Sequence, residues 1–113
     1  MRTQAQAVQI LGEVYTLCNP VLGNRVTDAF LYGSYARGDY HEWSDIDILL
    51  TVDISPENIS RTRKNISGII SDISLKYDVT VSVTVKSAEH FHKYAGVLPY
   101  FKNVVSEGIR YAV

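Results

Sequence analysis

The chain has 113 residues, enough for a single domain (1–113) with one core, and its formal net charge of −1 gives no overall reason to expect binding to a polyanion. Apolar residues make up 46% of the chain and charged residues 20%, which is typical of a globular protein. Its apolar runs are too short to span a bilayer and its single cysteine cannot form an intrachain disulfide, so we expect a cytoplasmic protein without membrane association.

The first two predicted elements are a helix and a strand. Apolar residues over 3–18 recur at a spacing that lines one face of a helix. The Asn19-Pro20 pair is expected to end this helix, because the residue before a proline disfavours the helical conformation. Residues 26–32 are rich in β-branched and aromatic side chains and predict a short strand that ends at Gly33.

A short helical turn and the clearest strand of the chain follow. Ser34 resembles the N-cap of a turn that Gly38 ends. The strand predicted over 45–52 begins with strict alternation, so Asp45 and Asp47 should point to one face of it. Its second half is uniformly apolar, which is typical of a central strand.

A long helix, a half-buried strand and two more helices complete the chain. The long helix, 56–77, should bury Leu75 together with a stripe of isoleucines. Strict alternation over 79–85 predicts the strand. Of the last two helices the second should end near Gly108, and residues 109–113 form either an edge strand or a tail. This order predicts an α/β (α+β) domain in which helices flank a small mixed sheet.

The most informative stretch runs from Gly33 to Asp47. A glycine between a strand and a helical turn lets the backbone approach a ligand closely, and the first amides of the turn favour an anion. The Ser34 hydroxyl adds a donor, and Arg37 can reach the same anion or brace the loop. Asp45 and Asp47 can share one hard cation such as Mg²⁺, which prefers one or two carboxylates with phosphate oxygens and water. Each feature alone is common in ordinary turns and strand ends, but together they predict a site for a nucleoside triphosphate and Mg²⁺.

The same stretch carries a resemblance to a known family. Two motifs, separated by a short loop, are similar to the signature of the polymerase-beta-like nucleotidyltransferase superfamily: Gly33-Ser34-x-Ala36-Arg37-Gly38 and Ser44-Asp45-Ile46-Asp47. Within it the chain looks most like the minimal nucleotidyltransferases (MNT) of prokaryotes. The resemblance implies the nucleotidyltransferase fold over nearly the whole chain.

The resemblance also implies an activity and a partner. Gly33 and Ser34 would bind the β- and γ-phosphates of ATP or another nucleoside triphosphate, and Asp45 and Asp47 would be the catalytic residues that bind two Mg²⁺ ions. The reaction implied is transfer of a nucleoside monophosphate, commonly AMP from ATP, to a hydroxyl. Many minimal nucleotidyltransferases are antitoxins paired with a small helical HEPN toxin, so a protein partner of that type is expected.

One position departs from the family pattern. The superfamily usually carries a third carboxylate on a later strand, and by register that position falls on Ser82, which cannot act as a base or a charged ligand. Asp78 lies too far along the strand to substitute for it. Two hypotheses follow: an Mg²⁺-dependent nucleotidyltransferase working with two carboxylates, or a catalytically weakened, nucleotide-binding antitoxin that acts by contact with its partner.

Several other residues have an ordinary structural interpretation beside a functional one. Trp43 could stack on a base or cover a partner, although packing against the sheet edge is at least as common for such a residue. His41 could contact the nucleotide or the acceptor, although a solvated loop residue is the more common case at such a position. Tyr94, Tyr100 and Phe101 should contribute to the core, and an exposed part of this cluster could mediate homo-oligomerisation or partner binding. Basic residues on the long helix form a solvated face, so direct binding of nucleic acid is not expected.

Overall fold

The computed structural model describes residues 3–111, which form five helices and four strands. The helices are α1 Gln4–Val21, α2 Ser34–Arg37, α3 Pro56–Tyr77, α4 Ala88–Tyr94 and α5 Pro99–Glu107. The strands are β1 Val26–Tyr32, β2 Ile46–Val52, β3 Val81–Ser87 and β4 Ile109–Arg110. The predicted order of helices and strands is confirmed, and residues 109–110 are an edge strand rather than a tail. Within residues 3–111, no helix combines the length and apolar character needed to cross a membrane.

The four strands form one mixed sheet in the order β3-β2-β1-β4. Strand β1 runs antiparallel to both β2 and β4. Strands β2 and β3 run parallel, and α3 makes the crossover between them. The predicted α/β fold with a small mixed sheet is therefore confirmed.

The sheet has a large core on one face and a small core on the other. Helices α1 and α3 cover the first face and pack against alternate residues of the strands, including Leu31 and Ile48. On the second face, helices α4 and α5 place Phe91 and Phe101 around Leu49. The second half of β2 is buried on both faces, as expected of a central strand, but it is not uniformly apolar, because it includes the buried Thr51, whose hydroxyl is hydrogen-bonded with that of Thr27 at 2.7 Å.

Helix α1 continues past the predicted stop. The expectation that Asn19-Pro20 ends it is wrong, since the helix includes Pro20 and ends at Val21. A proline in the last turn removes only one helical hydrogen bond, and other hydrogen bonds stabilise the end of this helix. The Leu22 N–H donates to the carbonyls of Cys18 and Asn19, each at 3.1 Å, and the Asn19 side chain accepts from the Val26 N–H at 3.1 Å.

The bounds predicted for α3 are confirmed, but one of its predicted buried residues is wrong. Ile59, Ile66 and Ile73 are buried at a spacing of two helical turns. Leu75 is 81% exposed. It follows Ile73 by two residues, which places it about 200° round the helix and on the opposite side.

Strand β3 begins at Val81, two residues later than predicted. Asp78 caps the end of α3 in the left-handed conformation, with φ of 51°, and the Val79 N–H donates to the Ser74 carbonyl at 3.2 Å. Both residues therefore belong to the helix end and not to the strand. The strand continues to Ser87, beyond its predicted end.

Candidate active site

The junction between β1 and α2 is a turn built on Gly33. Its φ of 74° and ψ of −155° form a combination that in practice only glycine adopts. A Cβ atom placed on Gly33 would lie 2.5 Å from Oδ2 of Asp47. The backbone conformation and the nearby carboxylate thus both require glycine at position 33. A close approach of this backbone to a ligand was expected, and the structure shows that it also lies close to the Asp47 side chain.

Helix α2 is a single turn that starts one residue earlier than predicted. The interpretation of Ser34 as its N-cap is wrong, because Gly33 holds that position and Ser34 is the first helical residue. The Arg37 N–H donates to the Gly33 carbonyl at 3.1 Å, and the Gly38 N–H donates to the Ser34 carbonyl at 2.9 Å. Gly38, in the left-handed conformation with φ of 87°, ends the turn as predicted.

This turn is held firmly against the body of the protein. Tyr35 is buried and stacks on Tyr40 with ring centroids 4.5 Å apart. The Gln4 side-chain amide on α1 donates to the carbonyls of Tyr35 and Ala36, at 3.0 and 3.2 Å. By helix geometry the first amides of such a turn have no intrahelical acceptor, so a rigid turn presents donors suited to an anion.

The two aspartates differ in their surroundings. Asp45 directly precedes β2 and is exposed, whereas Asp47 is the second residue of β2 and is half-buried beside Gly33. Burial, followed by the negative charge of Asp45, raises the pKa of the Asp47 carboxyl, and the positive charge of Arg37 partly opposes this. The site is therefore short of positive charge, and a bound cation would stabilise both ionised carboxylates.

Arg37 braces the loop. Its Nε donates to Oδ2 of Asp39 at 3.2 Å and its Nη1 to Oε2 of Glu107 on α5 at 3.3 Å. These two carboxylates, Asp39 first, raise the pKa of the guanidinium. Of the two roles expected for Arg37, the structure shows the bracing one, with the guanidinium still near enough to act electrostatically on Asp47.

The sheet places two residues beside Asp47. Its Cα partner on β1 is Tyr32 and its Cα partner on β3 is Ser82. The Tyr32 hydroxyl accepts a hydrogen bond from the Tyr100 hydroxyl at 2.7 Å, and burial raises the pKa of Tyr32. Sequence reasoning missed Tyr32, because only the register of β1 on β2 reveals its position. Within residues 3–111, no group of three or more His, Cys, Asp and Glu side chains is arranged to hold a metal ion, so a cation here would depend on two carboxylates and on ligand oxygens.

Two cavities flank the start of β2. One, of about 210 Å³, lies on the β1 side and is lined by Gly33, Arg37 and residues of α5. The other, of about 390 Å³, lies on the β3 side and is lined by Trp43 and Asp45 among others. Trp43 is 81% exposed, which overturns the interpretation that it packs against the sheet edge.

Comparison with known proteins supports the resemblance carried by the motifs. The family model of the nucleotidyltransferase domain matches residues 17–112. A protein of Methanocaldococcus jannaschii, named as a candidate protein adenylyltransferase, is 37% identical over 84 residues, which cover 74% of this chain and 76% of that protein.

Solved structures show the same fold. A candidate nucleotidyltransferase of Sulfolobus solfataricus superposes with a TM-score of 0.54 at 16% identity, covering 97% of this chain and 86% of that one. A chain from a toxin–antitoxin structure solved with AMP-PNP superposes with a TM-score of 0.53 at 20% identity, covering 84% of this chain and 69% of that one. At these identities the superpositions show the fold alone, whereas the family match and the M. jannaschii relative show descent. The chain belongs to the nucleotidyltransferase domain family.

Proposed function

We propose that this chain transfers AMP from ATP to a hydroxyl of a partner protein in an Mg²⁺-dependent reaction. The observation that carries the proposal is the half-buried Asp47 carboxylate, set against the Gly33 turn and beside a second carboxylate, Asp45. A phosphate-binding turn next to two carboxylates in need of a cation suits a triphosphate with Mg²⁺. The name of the M. jannaschii relative, a candidate protein adenylyltransferase, supports a protein as the acceptor.

The residues of this site fit a nucleoside triphosphate with bound Mg²⁺. The backbone of Gly33 and the amide and hydroxyl of Ser34 would bind the β- and γ-phosphates, and Arg37 would add positive charge beside them. Asp45 and Asp47 would hold Mg²⁺, with phosphate oxygens and water completing its coordination, and a second ion would depend more heavily on the substrates. Bound there, Mg²⁺ would supply Lewis acidity to the phosphates and to the acceptor hydroxyl.

The transfer itself is a displacement at phosphorus. The acceptor oxygen bonds to the α-phosphorus as its proton passes to solvent water, the bond from that phosphorus to the bridging oxygen breaks, and pyrophosphate leaves. Ser82, the neighbour of Asp47 on β3, can donate a hydrogen bond but cannot accept the acceptor's proton as a carboxylate would. We therefore expect slower turnover than at a site with three carboxylates, and we expect nucleotide binding to be less affected.

Ser82 favours a second candidate function. The chain would bind a nucleotide and neutralise a HEPN-type toxin by contact, alone or as a homo-oligomer, with little or no transfer. The fold shared with a chain of a toxin–antitoxin structure supports a partner of this type for either candidate. The buried free thiol of Cys18 suits a reducing compartment such as the cytoplasm.

The test is a calorimetric titration of ATP with and without Mg²⁺ into the wild type and into Asp45→Asn/Asp47→Asn. We expect Mg²⁺-dependent binding that the double variant loses while its thermal unfolding stays cooperative. Asp72→Asn, an exposed change on α3, is the matched control and should bind as the wild type does. Binding that persists in the double variant, or ATP binding that ignores Mg²⁺, would contradict the proposed site. Labelled ATP and a candidate partner then separate transfer from binding by contact alone.

A further inference from the structure

We infer that the surface around Trp43 receives the acceptor, and that the acceptor is a protein segment in which Lys or Arg flanks a large apolar side chain close to the modified hydroxyl. This inference rests on the proposed function, because it names the class of substrate for the same site. Trp43 and Leu75 are the two most exposed large apolar side chains in residues 3–111, each 81% exposed. Large apolar side chains that share an exposed surface mark interaction sites more often than isolated ones do.

Position links this surface to the chemistry. Trp43 and Leu75 line the cavity of about 390 Å³ on the β3 side, and Asp45 lines it with them. The cavity that contains Gly33 lies on the opposite, β1 side of the same strand end. Phosphoryl transfer places the attacking and leaving oxygens roughly in line, on opposite sides of the phosphorus. If the triphosphate binds at Gly33, the acceptor hydroxyl therefore approaches from the side of Trp43.

The backbone that carries Trp43 is fixed by its own hydrogen bonds. The His41 N–H donates to the Ser44 hydroxyl at 2.9 Å, and the Ser44 N–H donates back to the His41 carbonyl at 3.0 Å. The Trp43 N–H donates to Nδ1 of His41 at 3.2 Å. His41 is an exposed loop residue, as predicted, and it also braces the turn. A large aromatic side chain on a preformed turn can bind a partner with little loss of backbone entropy.

Charge identifies the kind of partner. Glu42, Asp45 and Asp78 line the cavity, and of the described residues that line it none is basic. Even with Asp45 neutralised by Mg²⁺, Glu42 and Asp78 would attract Lys and Arg and would repel the phosphates of RNA. The surface therefore favours a cationic, apolar protein segment over a nucleic acid.

Trp43 is the chain's only tryptophan, so its fluorescence reports directly on this surface. The experiment titrates tryptophan-free peptides with a Lys-Leu-Tyr-Leu-Lys core, or the same core with Glu for Lys, into the protein with Mg²⁺ and a non-hydrolysable ATP analogue. The Lys peptide should shift the emission to shorter wavelength and bind about tenfold more tightly than the Glu peptide. Leu75→Ala should weaken this binding about tenfold, and Glu42→Lys, which leaves one positive and one negative charge on the surface, should abolish the peptide preference, with ATP affinity unchanged in both. Leu17→Ala, which removes a 45% exposed leucine on α1, is the matched control.

Several results would overturn the inference. They are equal affinity for the two peptides, no emission change with either, and tighter binding of a short single-stranded RNA than of the Lys peptide. A shift produced by the ATP analogue alone, together with loss of ATP affinity in Leu75→Ala, would assign the surface to the nucleotide instead. Failure of the proposed function would look different. The wild type would then show no Mg²⁺-dependent binding of ATP, whatever the peptides do.

Discussion

The central strand β2 presents two faces of opposite character. The face toward α1 and α3 consists of four fully buried apolar side chains: Ile46, Ile48, Leu50 and Val52. The opposite face begins with Asp47 and continues with Leu49 and Thr51. Leu49 on this face meets a small aromatic cluster from α4 and α5, and Thr51 beyond it is also fully buried, so only the end that carries Asp47 is left partly open. One face can therefore supply most of the stability, which leaves the other free to carry a carboxylate whose burial is unfavourable.

Truncating one buried residue on each face tests this comparison most strongly. Ile48→Ala should lower the free energy of unfolding by about 4 kcal/mol and Leu49→Ala by about 2.5 kcal/mol. Both side chains are fully buried, but Ile48 belongs to the large core, whereas the small cluster around Leu49 can collapse further into the space left. Urea unfolding of both variants measures the difference. Equal losses would show that the small core stabilises the domain as much as the large one.

The turn on the second face can be tested at Gly33. Gly33→Ala should abolish detectable ATP binding and lower the free energy of unfolding by about 1–3 kcal/mol, because the new Cβ meets Asp47 in a backbone conformation that alanine avoids. Gly68→Ala is the matched control. Gly68 lies inside α3 with open space around its Cβ position, so this change should stabilise the helix by about 0.5–1 kcal/mol. Calorimetry with ATP and urea unfolding give both readouts, and retained ATP binding in Gly33→Ala would argue against the turn as the phosphate site.

Local sequence patterns predicted several of the structural elements that these variants test. The bounds of β1 and α3 are as predicted, whereas β2 begins at Ile46, so that Asp45 precedes the strand that alternation predicted it to open. The predicted cap at Ser34 is wrong, because Gly33 holds the N-cap position without a side-chain hydrogen bond, a geometry that the preference for a serine cap does not reveal. Local structure can thus be predicted from the sequence wherever residues close together along the chain determine it.

The rest depends on contacts between distant segments. Tyr32 and Ser82 flank Asp47 only because of how β1 and β3 are registered on β2. Leu75 and Trp43 both had plausible buried placements, and only the packed arrangement of α3 and the preceding loop shows that they share an exposed cavity. Register and side-chain exposure are properties of the assembled sheet, so a single sequence leaves them open.

The charge on the second face should oppose stability, and Asp47→Asn tests this. Because the pKa of Asp47 is raised in the folded state, the ionised carboxylate is disfavoured by folding, and stability is lost as pH rises through that pKa. Asp47→Asn should therefore raise Tm at neutral pH by roughly 3 °C. The difference should vanish at low pH, where the wild-type carboxyl is protonated in both states. Thermal scans across pH measure it, with Asp72→Asn as the control. A variant less stable than the wild type at neutral pH would mean that Asp47 makes stabilising contacts in the absence of ligand.

The smallest effect concerns the ion pair between Arg37 and Glu107. Glu107→Gln should leave the free energy of unfolding nearly unchanged, since exposed ion pairs contribute little. It should raise ATP affinity by about threefold, because one of two carboxylates that hold the guanidinium is then neutral and the positive charge is freer to face phosphate. Asp53→Asn breaks the more exposed pair with Arg25, away from the site, and should leave ATP affinity unchanged. An affinity that falls in Glu107→Gln would show that this pair positions Arg37 for the phosphates, so that bracing and binding would be one function of the residue.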